Sequence, residues 1–594
     1  MSEEGPSIVV GLDFGTTFSG SAHVQKASTI HIDGTRIAWA FKGSTDNIEV
    51  MSTWPGGGNR TSVKVPSVVS YKTQPSTWGY QVRTFTEAFH GIKLLLDEDQ
   101  ETKYTPSLVS KELLQKYDTD AVQVTADYIR HLVRHAQETL ERRLGVAAKT
   151  MDMRFVLTVP AVWGDKAKHN TLRAAEKAGI PAEDVSLVSE PEAAALYSLR
   201  ATQPNSISKN DVFIVCDAGG GTVDLISYQI TELEPLALKE VVKGAGRICG
   251  SMLLDQRFDA LLKERTGLGG YATLSDNARE SVLSYWQDRV KPNYVGKYDD
   301  DYADIDYFIP VPGARDDPLI PIEDGFFQLT RYVNNLQNLR GMGFLRVSSD
   351  GIANIFEPIL RDVESLVAEQ VEGIKKSKLT PKAIILVGGF GSSQFLFHRL
   401  REMNPGVTVL QPPDAWSAVV RTSGAVYRGL DGNQVESRIA RRSYGIKYNT
   451  HYIEGKHSPE TMTWDNHLER YAATGQMEWY IKKFSKISEN DPIRVPFFRT
   501  VGITDTRGLL FTEQLMFCNS DNPPDERDRE TIRLCCLEAD LRKIPRDLFE
   551  KRCNSKGVEY YKIDFTLVLI PTSASLLFEL EFNGVSYGSV RSKY

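Results

Sequence analysis

Val9-Val10-Gly11-Leu12-Asp13-Phe14-Gly15-Thr16-Thr17 is matched, further along the chain, by Ile214-Val215-Cys216-Asp217-Ala218-Gly219-Gly220-Gly221-Thr222. Each is an apolar run that ends in Asp and passes into glycine and hydroxyl residues. Each leads into a second alternating stretch, at residues 19–24 and 223–230. An apolar β run, a Gly-rich turn and another β run predict a hairpin. An ordinary turn explains either loop alone. The same setting used twice predicts two similar half-domains facing one cleft.

Glycine lets backbone N–H groups approach an anion closely, because no Cβ stands in the way. Backbone N–H groups and Thr hydroxyls can cradle phosphate oxygens. A carboxylate beside a polyphosphate needs a cation between them, so Asp13 and Asp217 predict a bound Mg²⁺, contacted in part through its water shell. The loops lack the Walker pattern, and no helix pattern follows them directly. They also lack the G-x-G-x-x-G fingerprint of dinucleotide folds. The expected grip on phosphate therefore comes from hairpins rather than from one helix N-terminus.

With these motifs the chain resembles the actin-like ATPase superfamily, and within it the seventy-kilodalton heat-shock chaperones. The two loops, the latter extended to Asp224, are similar to that family's two phosphate motifs. Val156-Leu157-Thr158-Val159-Pro160-Ala161 and Ser189-Glu190-Pro191-Glu192-Ala193 resemble its connecting segments, and Leu386-Val387-Gly388-Gly389-Phe390-Gly391-Ser392 resembles its adenosine motif. The resemblance implies an α/β, two-lobed actin-like ATPase fold with duplicated half-domains, followed by a β-rich C-terminal domain. It implies nucleotide contacts at Gly11, Asp13, Gly15, Thr16, Thr17, Gly219, Gly220, Gly221, Gly250, Lys291, Gly388, Gly389 and Ser392. It implies Mg²⁺ at Asp13 and Asp217, and catalytic roles for Lys93, Glu190, Asp217, Thr222 and Asp224, with ATP or ADP bound. Lys93 would stabilise the γ-phosphate and orient water. Without the resemblance, Lys93 reads as a solvated surface lysine, and Glu190 as a carboxylate at a helix N-terminus.

Departures fall on the adenosine side. Phe390 and Ser392 stand where the family carries Ser and Arg. Pro292 follows Lys291 where the family has an arginine that stacks on the base. Proline can neither donate nor carry charge. Arg289 and Trp286 are the candidate substitutes. Cys249-Gly250-Ser251 replaces a Gly-Gly pair.

Composition bounds the rest. The 594 residues are 41% hydrophobic and 25% charged, ordinary for a folded chain. A net charge of −7 argues against a nucleic-acid partner. No apolar run reaches the ~18 residues of a membrane span. The acidic start, Met1-Ser2-Glu3-Glu4, is unlike a secretory signal. The six cysteines form no C-x-x-C, which fits a reducing compartment. A cytoplasmic or nuclear location is expected.

Residues 1–430 are expected to form the nucleotide-binding domain, with one lobe at about 8–210, the other at about 211–380, and a return to the base by 430. Residues 46–120 read as loop-rich. Helical spacing predicts helices over 121–145, 165–179, 252–266 and 355–376, with another from about Ser393. His131 and His135, four apart, read as a half-exposed helix face rather than a metal pair. From 440 to 594 strands dominate, with Tyr561, Ile563, Phe565, Leu567 and Leu569 in period-two alternation and Asn583-Gly584 as a hairpin turn. This part faintly resembles the chaperones' peptide-binding β-sandwich. With no apolar interdomain linker and no helical lid, the pattern is that of the divergent, lidless branch found in eukaryotes.

The leading functional expectation is an ATP-binding, slowly hydrolysing chaperone-like protein. Its partners would be client polypeptides or co-chaperones at the C-terminal domain. The alternatives are a nucleotide-clamped scaffold without turnover and a small-molecule kinase on the same fold.

Overall fold

The computed structural model describes residues 7–16, 36–41, 48–58, 64–83, 86–98, 104–201, 207–302, 305–312, 326–328, 342–412, 419–505, 507–589 and 591–593. Thr17, and the stretch 19–24 expected to complete the first hairpin, lie outside them. Two compact units emerge: residues 1–230 with 244–432, and residues 231–243 with 433–594.

The first unit holds both motif strands in one local topology. Ser7–Asp13 pairs antiparallel with Arg36–Phe41, Asp13 opposite Arg36, and parallel with Asp152–Val159. Val212–Ala218 pairs antiparallel with Val223–Leu233 and parallel with Ala383–Val387. Every residue of both motif strands is buried. That is the state of a strand covered on both faces, and it explains the unbroken apolar runs. The first sheet is completed by Glu49–Val50 and Val185–Ser189.

Local signals set the helices. Ala121–Leu144 starts where the Asp120 side chain accepts the Gln123 N–H, and it stops at Gly145. Ser349–Lys376 begins before the expected residue 355, because Ser348 caps it through the Gly351 N–H. Thr105–Lys116 is a helix inside the stretch read as loop-rich; Pro106 in its first turn was the available signal. Val419–Asp431 returns to the first sheet, where Ala425 and Val426 pack with Val9, Val156, Val188 and Ala193.

The second unit is all β. One sheet runs Met462–Asp465, Arg470–Ile481, Ser443–His451, Leu510–Cys518, Ile532–Asp540, Arg591–Lys593. The other runs Ile493–Gly502, Glu559–Pro571, Leu576–Phe582, Val585–Ser589. Their inner faces share one core, in which Ile446, Leu515 and Leu537 of the first meet Ile563, Leu567 and Leu580 of the second. This is a sandwich, and the alternation along 561–569 marks its inward face. Asn583 and Gly584 take φ values of 50° and 77° between paired Phe582 and Val585, as a two-residue hairpin loop requires.

Candidate active site

The two Gly-rich loops meet. Gly221 approaches Thr16 so closely that a Cβ on it would lie 2.9 Å from Thr16 Oγ1. Residues at the start of helix Met252–Thr273 hold the second loop from behind. The N–H groups of Gly250, Ser251 and Met252 donate to the carbonyls of Gly221, Gly219 and Gly220 at 3.1, 3.1 and 3.0 Å. In a trans peptide the N–H points opposite to its carbonyl. The amides of Gly220, Gly221 and Thr222 are therefore turned away from the helix, which gives the loop the arrangement of a backbone nest. Gly11 lies within the first motif strand, paired with Ala38, and Gly15 in the buried turn after it.

Carboxylates crowd the ends of these strands. Asp217 and Asp224 are direct cross-strand partners, 2% and 1% exposed. Partners in that register share a face, and like charges there repel unless a cation intervenes. Asp224 Oδ1 accepts the Val162 N–H at 3.1 Å, and Asp13, fully buried, accepts the Thr158 hydroxyl at 2.5 Å. Thr158 lies in the strand Asp152–Val159 and Val162 shortly after it, while Asp224 belongs to the second hairpin. The half-domains thus meet through the Val162–Asp224 contact, while Thr158 and Asp13 pair within the first sheet.

Lys93 is not a surface lysine. It lies on the short turn Ile92–Leu96, opened by Gly91 at φ 60°, and is 2% exposed. Its Nζ donates to Glu190 Oε1 at 2.5 Å and sits 5.9 and 5.6 Å from the ring centroids of Phe14 and Trp163. Glu190 opens helix Glu190–Ala201, which bears out the helix-terminus reading. Burial, and then the charge of Asp217, push the Cys216 thiol far above its ordinary value; burial, then Asp362 and Asp224, do the same at Cys249. Both thiols stay protonated and unreactive.

The remaining candidates lie elsewhere in the same unit. Gly388, at φ 90°, backs the strand end: a Cβ would fall 2.4 Å from the Ala218 carbonyl oxygen and 2.6 Å from Asp217 Oδ1. Its neighbour Gly389 lines a cleft with Gln287, Lys291, Pro292, Phe390 and Ser392. Trp286 does not replace the missing arginine. It is fully buried, stacked on Phe258 at 4.5 Å, and its indole N–H donates to Asp255 at 2.8 Å. It opens a π-helical turn, Trp286–Val290, which ends on Lys291. Arg289 does not line the cleft.

The donor set fits a magnesium nucleotide. Mg²⁺ takes one or two carboxylates, water and phosphate oxygens rather than a cage made only of side chains. Among the described residues no three His, Cys, Asp or Glu form such a cage. The nest, the opposed carboxylates and the buried lysine supply the rest. His131 and His135 are occupied otherwise, hydrogen-bonded to Ser76 and to the Thr53 carbonyl.

Several contributors escaped the sequence reading. Thr158 lay inside a quoted motif without a role. Asp255, which holds Lys291, carried no motif. Gly246, where a Cβ would meet the Val223 carbonyl at 2.7 Å, is a glycine inside a strand, a pattern that signals close approach. Among the described residues no helix is long and apolar enough to cross a membrane.

Comparison with known proteins finds Hsp70 relatives. Residues 62–234 match the family model "Hsp70 protein", and residues 438–591 match a domain of unknown function, DUF8568. The chain is 24% identical to human heat shock 70 kDa protein 12A over 77% of its own length and 74% of that protein's. It is 25% identical to human heat shock 70 kDa protein 12B, over 77% and 73%. Chaperone protein HscA of Salmonella typhimurium is 30% identical over 37% of this chain and 35% of that protein. The chain is thus similar to Hsp70 proteins, and over most of its length to the heat shock 70 kDa proteins 12A and 12B, with an actin-like α/β fold followed by a β-rich C-terminal region.

Proposed function

We propose that the first unit binds magnesium-ATP between its half-domains and hydrolyses it slowly, in a chaperone-like cycle. The reading is carried by one observation, the meeting of Thr16 with Gly221 above a backbone nest. Thr16, the Gly220, Gly221 and Thr222 amides and the Thr222 hydroxyl hold the phosphates. Asp13 and Asp217 would hold Mg²⁺, which supplies charge neutralisation for the phosphate oxygens and the leaving group. Lys93 adds a fixed positive charge where negative charge develops, in a site that excludes bulk water. Glu190 keeps that ammonium in place. Asp224 orients the attacking water and takes up its proton.

The test uses a pair of variants. Lys93→Met alone leaves Glu190 buried without its cation. Lys93→Met with Glu190→Gln removes both charges and keeps the shape. The double variant is expected to bind ATP in calorimetry and to lose about 100-fold in ADP release. Turnover equal to the wild type would sink the assignment of Lys93.

A second reading, a nucleotide-clamped scaffold, is favoured by Pro292 and Phe390 at the base end. Absence of turnover in the wild type, with binding intact, selects it. We further propose that nucleotide state is relayed to residues 440–594, where clients or co-chaperones bind. Hydrogen exchange of that region unchanged by ATP would contradict this relay.

A further inference from the structure

The chain carries a net charge of −7, yet one surface of the second unit gathers positive charge. The turn Lys482-Lys483-Phe484-Ser485 is tied to the segment Ala440-Arg441-Arg442-Ser443. The Phe484 N–H donates to the Ala440 carbonyl at 2.8 Å, and the Ala440 N–H to the Ser485 carbonyl at 2.9 Å. The Lys483 N–H donates to Ser443 Oγ at 3.0 Å. Arg441 and Arg442 are thereby held beside Lys482 and Lys483. Lys243, from strand Leu236–Arg247, joins them. Its Nζ lies 5.7 Å from the Phe484 ring centroid, and Lys483 Nζ lies 5.1 Å from the same centroid. Burial, then the charges of Lys483, Arg441 and Arg442, hold the Lys243 pKa below its ordinary value. Like charges gathered this way repel, and an anion set among them relieves the repulsion.

Phe484 gives the patch an apolar centre. It is the third residue of a turn closed by the Ser485 N–H on the Lys482 carbonyl at 3.0 Å. Its φ is 67°, which suits glycine or asparagine at that position and strains a bulky residue. Its side chain is nonetheless 53% exposed. The turn thus keeps a strained backbone and displays an aromatic ring, a combination that marks surfaces in use.

The patch already takes a carboxylate from its own chain. Lys483 Nζ donates to Asp521 Oδ1 and to the Asn519 carbonyl, both at 2.6 Å. The Arg442 guanidinium is steadied over the Phe517 ring at 4.5 Å, and a fixed guanidinium suits a carboxylate's two oxygens. Lys243, Arg441 and Arg442 are half-buried. A bilayer surface meets protruding ammoniums, whereas half-buried cations are met by side chains that enter between them. We infer that this surface of the β-rich unit binds acidic polypeptide segments, with carboxylates among Lys243, Arg441 and Arg442 and an apolar side chain on Phe484. The inference rests on the reading that this unit binds polypeptides, and it names the surface and the charge of the partner.

The test is fluorescence anisotropy of the full chain with a labelled peptide of glutamate, glycine and phenylalanine, and with the same peptide carrying glutamine for glutamate. The acidic peptide is expected to bind at least about tenfold more tightly, and to weaken as salt rises. Equal affinity for the two peptides overturns the inference and leaves polypeptide binding intact. Binding of neither peptide removes the polypeptide-binding reading with it. Tighter binding to phosphatidylserine vesicles or to a single-stranded oligonucleotide overturns the choice of partner. Two variants fix the place. Lys482→Glu with Lys486→Glu reverses two exposed charges and should weaken the acidic peptide by about fivefold or more. Phe484→Gly relieves the backbone and removes the ring, and should weaken it by about threefold or more. Either variant binding as tightly as the wild type overturns the assignment to this surface.

Discussion

Around the two Gly-rich loops, Asp13, Lys93, Glu190, Asp217 and Asp224 are all buried ionisable groups. At the proposed base end, a half-buried lysine is bound to Asp255, and proline and phenylalanine share the walls with serine and glutamine. The first end keeps charge in a low-dielectric site. That arrangement is expensive unless charges are paired or a cationic ligand completes them. The second end is satisfied internally and shaped by hydrocarbon. Chemistry that requires charge leaves little freedom in residue type; a surface that only has to stack leaves much. This difference explains why the motif resemblance holds at one end and lapses at the other.

The sharpest way to break the comparison is at Lys93. Lys93→Met should destabilise the first unit by about 3–5 kcal/mol in denaturant unfolding, because Glu190 stays buried and charged. Adding Glu190→Gln should restore most of that loss. A single variant as stable as the wild type would mean the pair is not held in a dry site. Next is Gly388→Ala, which combines φ 90° with a Cβ 2.4 Å from a carbonyl oxygen; a loss of about 2–3 kcal/mol is expected.

His90 lies three residues from Lys93, and its backbone N–H donates to Ser110 Oγ at 2.8 Å. Burial lowers its pKa to about 4. The unfolded chain takes up this proton below about pH 6.5, while the folded chain resists it down to about pH 4. Stability is therefore full above that upper value and declines as pH falls through the window, by on the order of 2 kcal/mol. A His90→Gln variant should show a flatter pH dependence of Tm; an equal slope would remove His90 from the account. The smallest effect is expected at the base end. Asp255→Asn keeps the shape and weakens the hold on Lys291, at a cost of about 1 kcal/mol. A cost comparable with that of Lys93→Met would erase the contrast between the two ends.

Much of the cleft was legible because hairpin loops carry local signals. Asp followed by glycine and hydroxyl residues can be read from neighbours in sequence. Helix 121–144 was legible through its spacing and its stop at Gly145. The sandwich was legible where alternation is clean, as at Glu559–Pro571, and the Asn583-Gly584 turn followed from its residue types. Less was visible where partners come from far away. The strands Ser443–His451 and Arg470–Ile481 mix exposed and buried positions without clean alternation and were passed over. Trp286 reads as an exposed candidate for stacking on a base, yet the structure turns it onto Phe258.

What the amino-acid order alone determined is the repeated strand-loop device, the α/β character of the first part, the β-rich second part and the residue types of the two Gly-rich loops. These depend on short-range periodicity and on turn chemistry, which are written in adjacent residues. Only the tertiary structure decided that Lys93 is buried against Glu190, that Asp217 faces Asp224, that Asp255 holds Lys291, and that Thr16 touches Gly221. Most of those contacts join residues distant in the chain, and side-chain burial there is set by packing of whole layers rather than by any local preference.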